Sequence, residues 1–166
     1  MNEDLFKKVN ERLNEKFPDA IEVAEIPFDF PSFTIKKENI HEVLVYLKND
    51  EDLNFHFLTD LTGFQTEDEK QLAVIYHLHN MQKNYRVRIK TYFDINKPEI
   101  PTATDIWPGA NWMERETFDF YGVRFKGHPN LKRILNVDEM DIFPMRKEYP
   151  LEDQSRDDKS DKMFGR

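Results

Sequence analysis

Two groups of residues have types and spacings that could do chemistry. The first is His77 and His79, two apart, with His56 and Asp60 upstream. On a strand, successive side chains alternate, so His-x-His puts both imidazoles on one face. Imidazoles beside a carboxylate are a donor set for zinc and related metals. On that reading the chain is a free-standing His-ligated metalloenzyme. The bland alternative is ordinary strand histidines facing solvent or a partner, and no third ligand lies close in sequence to His77 and His79. The second group is the stretch from Glu114 to Leu135, ERETFDFYGVRFKGHPNLKRIL. It holds no nucleophile beside a base and no metal-ligand set, so its chemistry is charge pairing. Between Gly122 and Leu135 stand Arg124, Lys126, His128, Lys132 and Arg133 with no acid among them.

On a helix over Trp112 to Tyr121, Trp112, Met113, Phe120 and Tyr121 fall in one half of the wheel, and Glu116 lies among them. Glu114, Arg115, Phe118 and Asp119 occupy the other half. A carboxylate among rings must be paired or protonated. The expectation is a pair between Glu116 or Glu114 and Arg133 or Arg124. Arg115 and Asp119, at i and i+4, suit a helix-surface pair. Gly122 suits a left-handed helix stop, and Gly127, ahead of His128 and Pro129, a tight turn. The outward Phe118 and the acid-free basic block point to a surface that another protein covers. The rival is a capped helix and turn with unrelated charges.

Composition closes other doors. The chain has 166 residues, 39% hydrophobic and 13% aromatic, enough for one domain with a core and an appended tail. Its net charge of −8 argues against general nucleic-acid binding. Without cysteine, disulfides, thiolate-held iron–sulfur clusters and Cys-based zinc sites are excluded, and a cytoplasmic setting fits. The five glycines form no phosphate-cradling loop, and no calcium loop or Gly-x-Ser-x-Gly element is present. The charged, amphipathic N-terminal stretch is not a signal peptide, and no run reaches the roughly 20 apolar residues of a membrane span.

These groups need elements to hold them. Leu5, Val9, Leu13 and Phe17 predict a helix from Asn2, with Asn2 as its cap and Pro18-Asp19 as its end. Ile21, Val23 and Ala24 favour extended chain that Pro27 and Pro31 confine to an edge or loop. Ile40, Val43, Leu44 and Leu47 predict a second helix. FHFLTDLTGFQ, LAVIYHLHNM and YRVRIKTYF predict an antiparallel meander. In the last of these, Arg86, Arg88 and Lys90 alternate with Val87, Ile89 and Thr91 to give one wet and one buried face. The fold class is α+β: N-terminal helices on a mainly antiparallel sheet, then a helix and an extended, irregular C-terminal arm. The expected division is a domain over 1–143 and a partner-binding arm over 144–166, anchored by Tyr149, Leu151, Met163 and Phe164. The arm is preferred over a linker or an artefact of purification.

Glu114-Arg115-Glu116, Asp119-Phe120-Tyr121-Gly122, His128-Pro129 and Lys132-Arg133-Ile134-Leu135, in that order and spacing, resemble the signature of the 30 kDa subunit family of respiratory complex I. This family is also called the C subunit of NADH–quinone oxidoreductase. Phe143 to Glu152, FPMRKEYPLE, resembles its extended C-terminal segment, and Asn130 stands where the family often has Asp. The resemblance implies a non-catalytic assembly subunit of the peripheral arm, at the cytoplasmic face of the bacterial inner membrane. The complex would use FMN, iron–sulfur clusters, NADH and a quinone, with none of these cofactors bound by this chain. The implied partners are chiefly the D subunit of the complex, with its B and I subunits nearby. The equivalent subunit of a membrane-bound hydrogenase-type complex is the closest alternative. The expected interface residues are Glu114, Arg115, Glu116, Phe118, Asp119, Tyr121 and Gly122. To these are added Arg124, His128, Pro129, Arg133, Arg146 and Tyr149.

Overall fold

Leu5, Val9 and Leu13 recur at helical spacing, and the chain is helical over Asn2–Lys16 (α1), with all three buried. The computed structural model describes residues 2–149. Asn2 lies inside α1, and its side chain donates to the Asp29 carbonyl and carboxylate instead of capping its own helix. The helix gives way to a turn in which Asp19 is left-handed. Strand β1 (Ile21–Glu25) and strand β2 (Ser32–Ile35) follow, then α2 (Ile40–Asn49), which buries Ile40, Val43, Leu44 and Leu47 as its periodicity requires. Strands β3 (Phe57–Gln65), β4 (Gln71–Asn80) and β5 (Tyr85–Asp94) form the expected meander. The hairpin between β3 and β4 turns at Glu69, and that between β4 and β5 at Asn84, both with positive φ.

The five strands lie in the order β1-β2-β5-β4-β3. β1 is an edge strand, and Pro27 and Pro31 lie in its connection to β2. β2 runs parallel to β5, a pairing the sequence does not announce. All four β2 residues are buried, so there is no alternation to read. One sheet face carries Leu61, Leu72, Val74, Tyr76, Leu78, Val87, Ile89 and Phe93, all buried in one core with residues of α1 and α2. Strands β6 (Glu99–Pro101) and β7 (Arg124–Lys126) pair in parallel as a second, two-stranded sheet, and the helix α3 (Ala110–Tyr121) runs between them in sequence. This small sheet holds the chain at both ends of α3, the helix of the signature.

α3 lies against β3 where Gly63 removes a side chain. A Cβ there would meet Thr117 Cγ2 at 2.7 Å and Tyr121 Cδ2 at 3.2 Å. The buried α3 residues are Ala110, Glu114, Thr117 and Asp119. This corrects the helical-wheel expectation: Glu116 is exposed, Glu114 is buried, and Trp112 is 62% exposed. The face that closes on the sheet joins Ala110, Glu114 and Thr117 with Met113 and Tyr121 of the expected apolar half, because Gly63 admits close approach and Glu114 finds its own donors.

Candidate assembly interface

Glu114 is fully buried, with no cation beside it. Its carboxylate accepts from the Thr102 hydroxyl at 2.5 Å and the Ala103 N–H at 2.6 Å. Burial pushes its pKa up to about 7, against the lowering effect of those two donors. The expected partners Arg133 and Arg124 are elsewhere. Arg124 is exposed on β7.

Arg133 belongs to Asp119, which is also fully buried. Its Nη1 donates to the Asp119 carboxylate at 2.7 Å. The backbone N–H groups of Ile134, Leu135 and Asn136 converge on the same carboxylate at 3.1, 2.8 and 2.9 Å, and the Asn136 amide adds a fifth bond at 3.0 Å. Three successive N–H groups aimed at one anion make a nest. Burial raises the pKa of Asp119, but the Asn136 N–H, Arg133 and the remaining donors outweigh it, holding the group well below the usual carboxylate range. Arg133 also donates to the carbonyls of Met140 and Ile142, at 2.6 and 2.8 Å, and lies over the Phe143 ring. One guanidinium therefore ties α3 to ten residues of irregular chain.

The predicted Arg115–Asp119 pair does not form, since Asp119 is fully engaged. Arg115 packs on Trp112 and donates to the carbonyls of Lys132 and Arg133, at 3.1 and 3.0 Å. His128 bonds to the Asn111 carbonyl through Nε2, and its Nδ1 accepts from the Asn130 N–H, which fixes the tautomer protonated at Nε2. Arg146 donates to the Tyr121 carbonyl at 2.8 Å and stacks on Phe143, whose ring also meets Phe118 edge-on. Gly122, with φ of 76°, ends α3 as expected. A Cβ on it would strike Phe143 at 2.6 Å and Arg146 at 2.8 Å. Gly127 turns the chain with φ of 87°. Tyr121 and Tyr149 are half-buried, and Pro129 is exposed.

Most of the signature is thus used within the chain, clasping residues 128–146 onto α3. Sequence reasoning missed Ala103 and the Met140 and Ile142 carbonyls, because backbone donors and acceptors carry no sequence signal, and missed the side chains of Thr102 and Asn136, because irregular chain with no periodicity brings them to Glu114 and Asp119. Among charged residues such as Lys132, Asp138, Glu139 and Asp141, the clasp also leaves large apolar side chains outward: Leu135 is 67% exposed, Val137 63%, Trp112 62%, Met145 52% and Ile142 37%. The arm anchors Leu151, Met163 and Phe164, and the arm from Pro150 onward, lie outside the described residues.

The alternative metal site does not assemble. His77 Nε2 accepts from the Arg88 guanidinium at 3.0 Å, and His56 Nδ1 faces the Asn54 carbonyl. Among the described residues no group of three or more His, Asp or Glu could hold a metal. Nor is any described helix long and apolar enough to cross a membrane.

Comparison with known proteins places this geometry. Residues 33–155 match the family model described as respiratory-chain NADH dehydrogenase, 30 Kd subunit. The C subunit of NADH-quinone oxidoreductase from Roseiflexus sp. (strain RS-1) is 41% identical, over 86% of this chain and 83% of the relative. The C subunit from Citrifermentans bemidjiense is 38% identical, over 88% and 90%. Among solved structures, a chain of the membrane-bound sulfane sulfur reductase, an archaeal respiratory membrane complex, superposes with a TM-score of 0.73 at 25% identity, over 87% of this chain and 85% of that one. The trypsin-resistant fragment (1-134) of Nqo5 superposes with a TM-score of 0.64 at 26% identity, over 76% and 99%.

Proposed function

Because the chain belongs to the 30 kDa subunit family of respiratory-chain NADH dehydrogenase, we propose that within NADH–quinone oxidoreductase it is an assembly subunit that reacts with nothing itself. The complex passes electrons from NADH to a quinone, using FMN and iron–sulfur clusters. This chain has no cysteine to ligate a cluster, and no electron-transfer step is routed through it. Its task is to hold neighbours in place in the peripheral arm, on the cytoplasmic side of the inner membrane. The D subunit is the chief neighbour, with the B and I subunits beside it.

The observation that carries this reading is the division of labour in the signature. Glu114, Asp119, Arg115, Arg133, His128 and Arg146 are spent on internal bonds, and what they build presents Trp112, Leu135, Val137 and Met145 outward. A catalytic site would leave its titratable groups facing a substrate. Leu135→Asp combined with Val137→Asp tests it. Blue-native separation of membranes should show the complex lost or truncated, while the isolated variant melts like the parent. A complex of normal abundance with slower turnover would end the assembly reading. The fold is shared with a chain of another respiratory membrane complex, so the equivalent subunit of a related complex with another electron donor or acceptor is the second reading. A flavin-bearing NADH-oxidising module among the neighbouring genes selects the first.

A further inference from the structure

α3 and the core residues of α1 and α2 meet one face of the five-stranded sheet. Among the described residues no α-helix packs on the other face. Its residues follow from the register: Phe57, Asp60 and Thr62 on β3, Ile75, His77 and His79 on β4, and Arg86, Arg88 and Lys90 on β5. His79 sits directly opposite Arg86, and His77 opposite Arg88. In a chain of net charge −8, this face gathers cations.

Their partners are unequal. Lys90 pairs with Glu25 at 3.0 Å. Asp60 approaches only His77, at 3.9 Å. Among the described residues no carboxylate reaches Arg86 or Arg88 within ion-pair distance. Arg88 spends one N–H on His77 and lies over the Phe30 ring at 5.1 Å. Arg86 is exposed, and the buried Nε2 of His79 opposite it has no hydrogen-bond partner.

The loop Pro27–Asp29 leads into this face, and Phe30 rests on His77. Phe28 is 102% exposed. Its φ of 53° is a left-handed conformation that a phenylalanine rarely adopts, and Asp29, with φ of 61°, follows in the same region, which an aspartate tolerates. Asn2 holds the loop through its two bonds to Asp29. Phe28 thus stands exposed two residues before Phe30 at the rim of this face, and Phe57, 45% exposed, lies on the face beside His79.

We infer that this open sheet face is a second docking surface, and that its occupant is an acidic segment of a neighbouring polypeptide whose carboxylates pair with Arg86 and Arg88 while Phe28 and Phe57 grip its apolar residues. Charge complementarity selects this occupant: two unpaired guanidiniums on adjacent pleats match carboxylates two residues apart on an extended chain. The surface is separate from the α3 clasp, because α3 packs on the opposite face.

A photoreactive phenylalanine at position 28 tests this in cells, with the full chain in its complex and a second probe at Leu135 as reference. Mass spectrometry should find the position-28 crosslink on one acidic segment of another polypeptide. Arg86→Glu should lower its yield about tenfold, as for loss of a strong charge pair, and leave the Leu135 crosslink unchanged. Acid→Lys in the crosslinked segment should restore it. Arg86 is exposed, so this variant keeps its fold, and its melting curve verifies that. A crosslink to residues 150–166 of the same chain, to a second copy, or to no protein would overturn the proposal. So would a yield indifferent to Arg86→Glu.

Discussion

Glu114 and Asp119 lie five residues apart on α3, both shut away from water, and they are kept there by opposite means. At the N-terminal end of the helix, Glu114 enters a pocket of neutral donors, and its carboxyl is pushed toward the protonated form. At the C-terminal end, Asp119 enters a cradle of one guanidinium, three backbone N–H groups and an amide, and is pushed toward the ionised form. The first joins helix to domain through Thr102 and Ala103. The second joins helix to the irregular chain after β7, through Arg133 and residues 134–136. A buried acid is costly in either setting, so each identifies a junction that the surrounding chain is built to satisfy.

The largest effect is expected from cutting the second junction. Arg133→Met leaves Asp119 without its cation and frees the carbonyls of Met140 and Ile142. Removing one partner of a buried pair costs about 3–5 kcal/mol. Denaturant unfolding should show that loss, with faster trypsin cleavage after Lys132, Arg146 and Lys147, the basic residues that flank the released segment. If that segment stays protected, the N–H nest alone holds Asp119 and the guanidinium is secondary.

pH separates the two ends. Glu114 keeps its proton to about pH 7 in the fold but gives it up near 4.5 when unfolded. Between those values the folded state holds the extra proton, so stability falls as pH rises from 4.5 toward 7, by about 2–3 kcal/mol. Glu114→Gln should flatten that decline. Asp119 behaves the other way: its contribution is complete above the ordinary value of 3.8 and is lost as pH drops below it. Asp119→Asn should remove the acid-side loss and leave the decline toward pH 7. Denaturation midpoints of the three proteins, measured from pH 3 to 8, check both signs. Matching profiles for the two variants would erase the contrast between the ends of α3.

How much of this could be read in advance differs between the same two regions. The domain was legible where one face of an element is buried: Leu5, Val9 and Leu13, or Val87 and Ile89 against Arg86 and Arg88, each declare their period. β2 was not, because Ser32 to Ile35 are buried on both sides and show no alternation. The clasp was legible as a signature and as a charge imbalance, and its two glycines announced their turns. Its wiring was not. Arg133 was expected to meet Glu116 or Glu114 and meets Asp119, because pairing here depends on where the irregular chain from 128 to 146 returns. The wheel misplaced Glu116 because it assumes that all rings face inward, and Gly63 makes packing through Thr117 the closer fit.

That fit gives a smaller effect on the domain side. Gly63→Ala places a methyl group 2.7 Å from Thr117 Cγ2, and overpacking of this kind costs about 1–3 kcal/mol. Thr117→Ser removes the opposing methyl and should recover part of the loss in a double-mutant cycle. Additive losses would mean that α3 is positioned by the clasp alone and that Gly63 is incidental.

The smallest effect on stability belongs to Glu116. It is exposed beside Thr62, Gly63, Phe120, Tyr121 and Met145, and no described residue forms an ion pair with it. Glu116→Ala should change the unfolding free energy by within about 0.5 kcal/mol. Its carboxylate nonetheless stands between outward apolar groups, where a docked neighbour would desolvate it and supply a cation. Recovery of intact complex should therefore fall while the melting curve of the isolated chain stays put. That outcome distinguishes Glu116 from Glu114 two residues earlier, whose role ends inside the chain. A complex recovered in normal amount would move the docking surface off this flank of α3 and onto the ridge made by Leu135 and Val137.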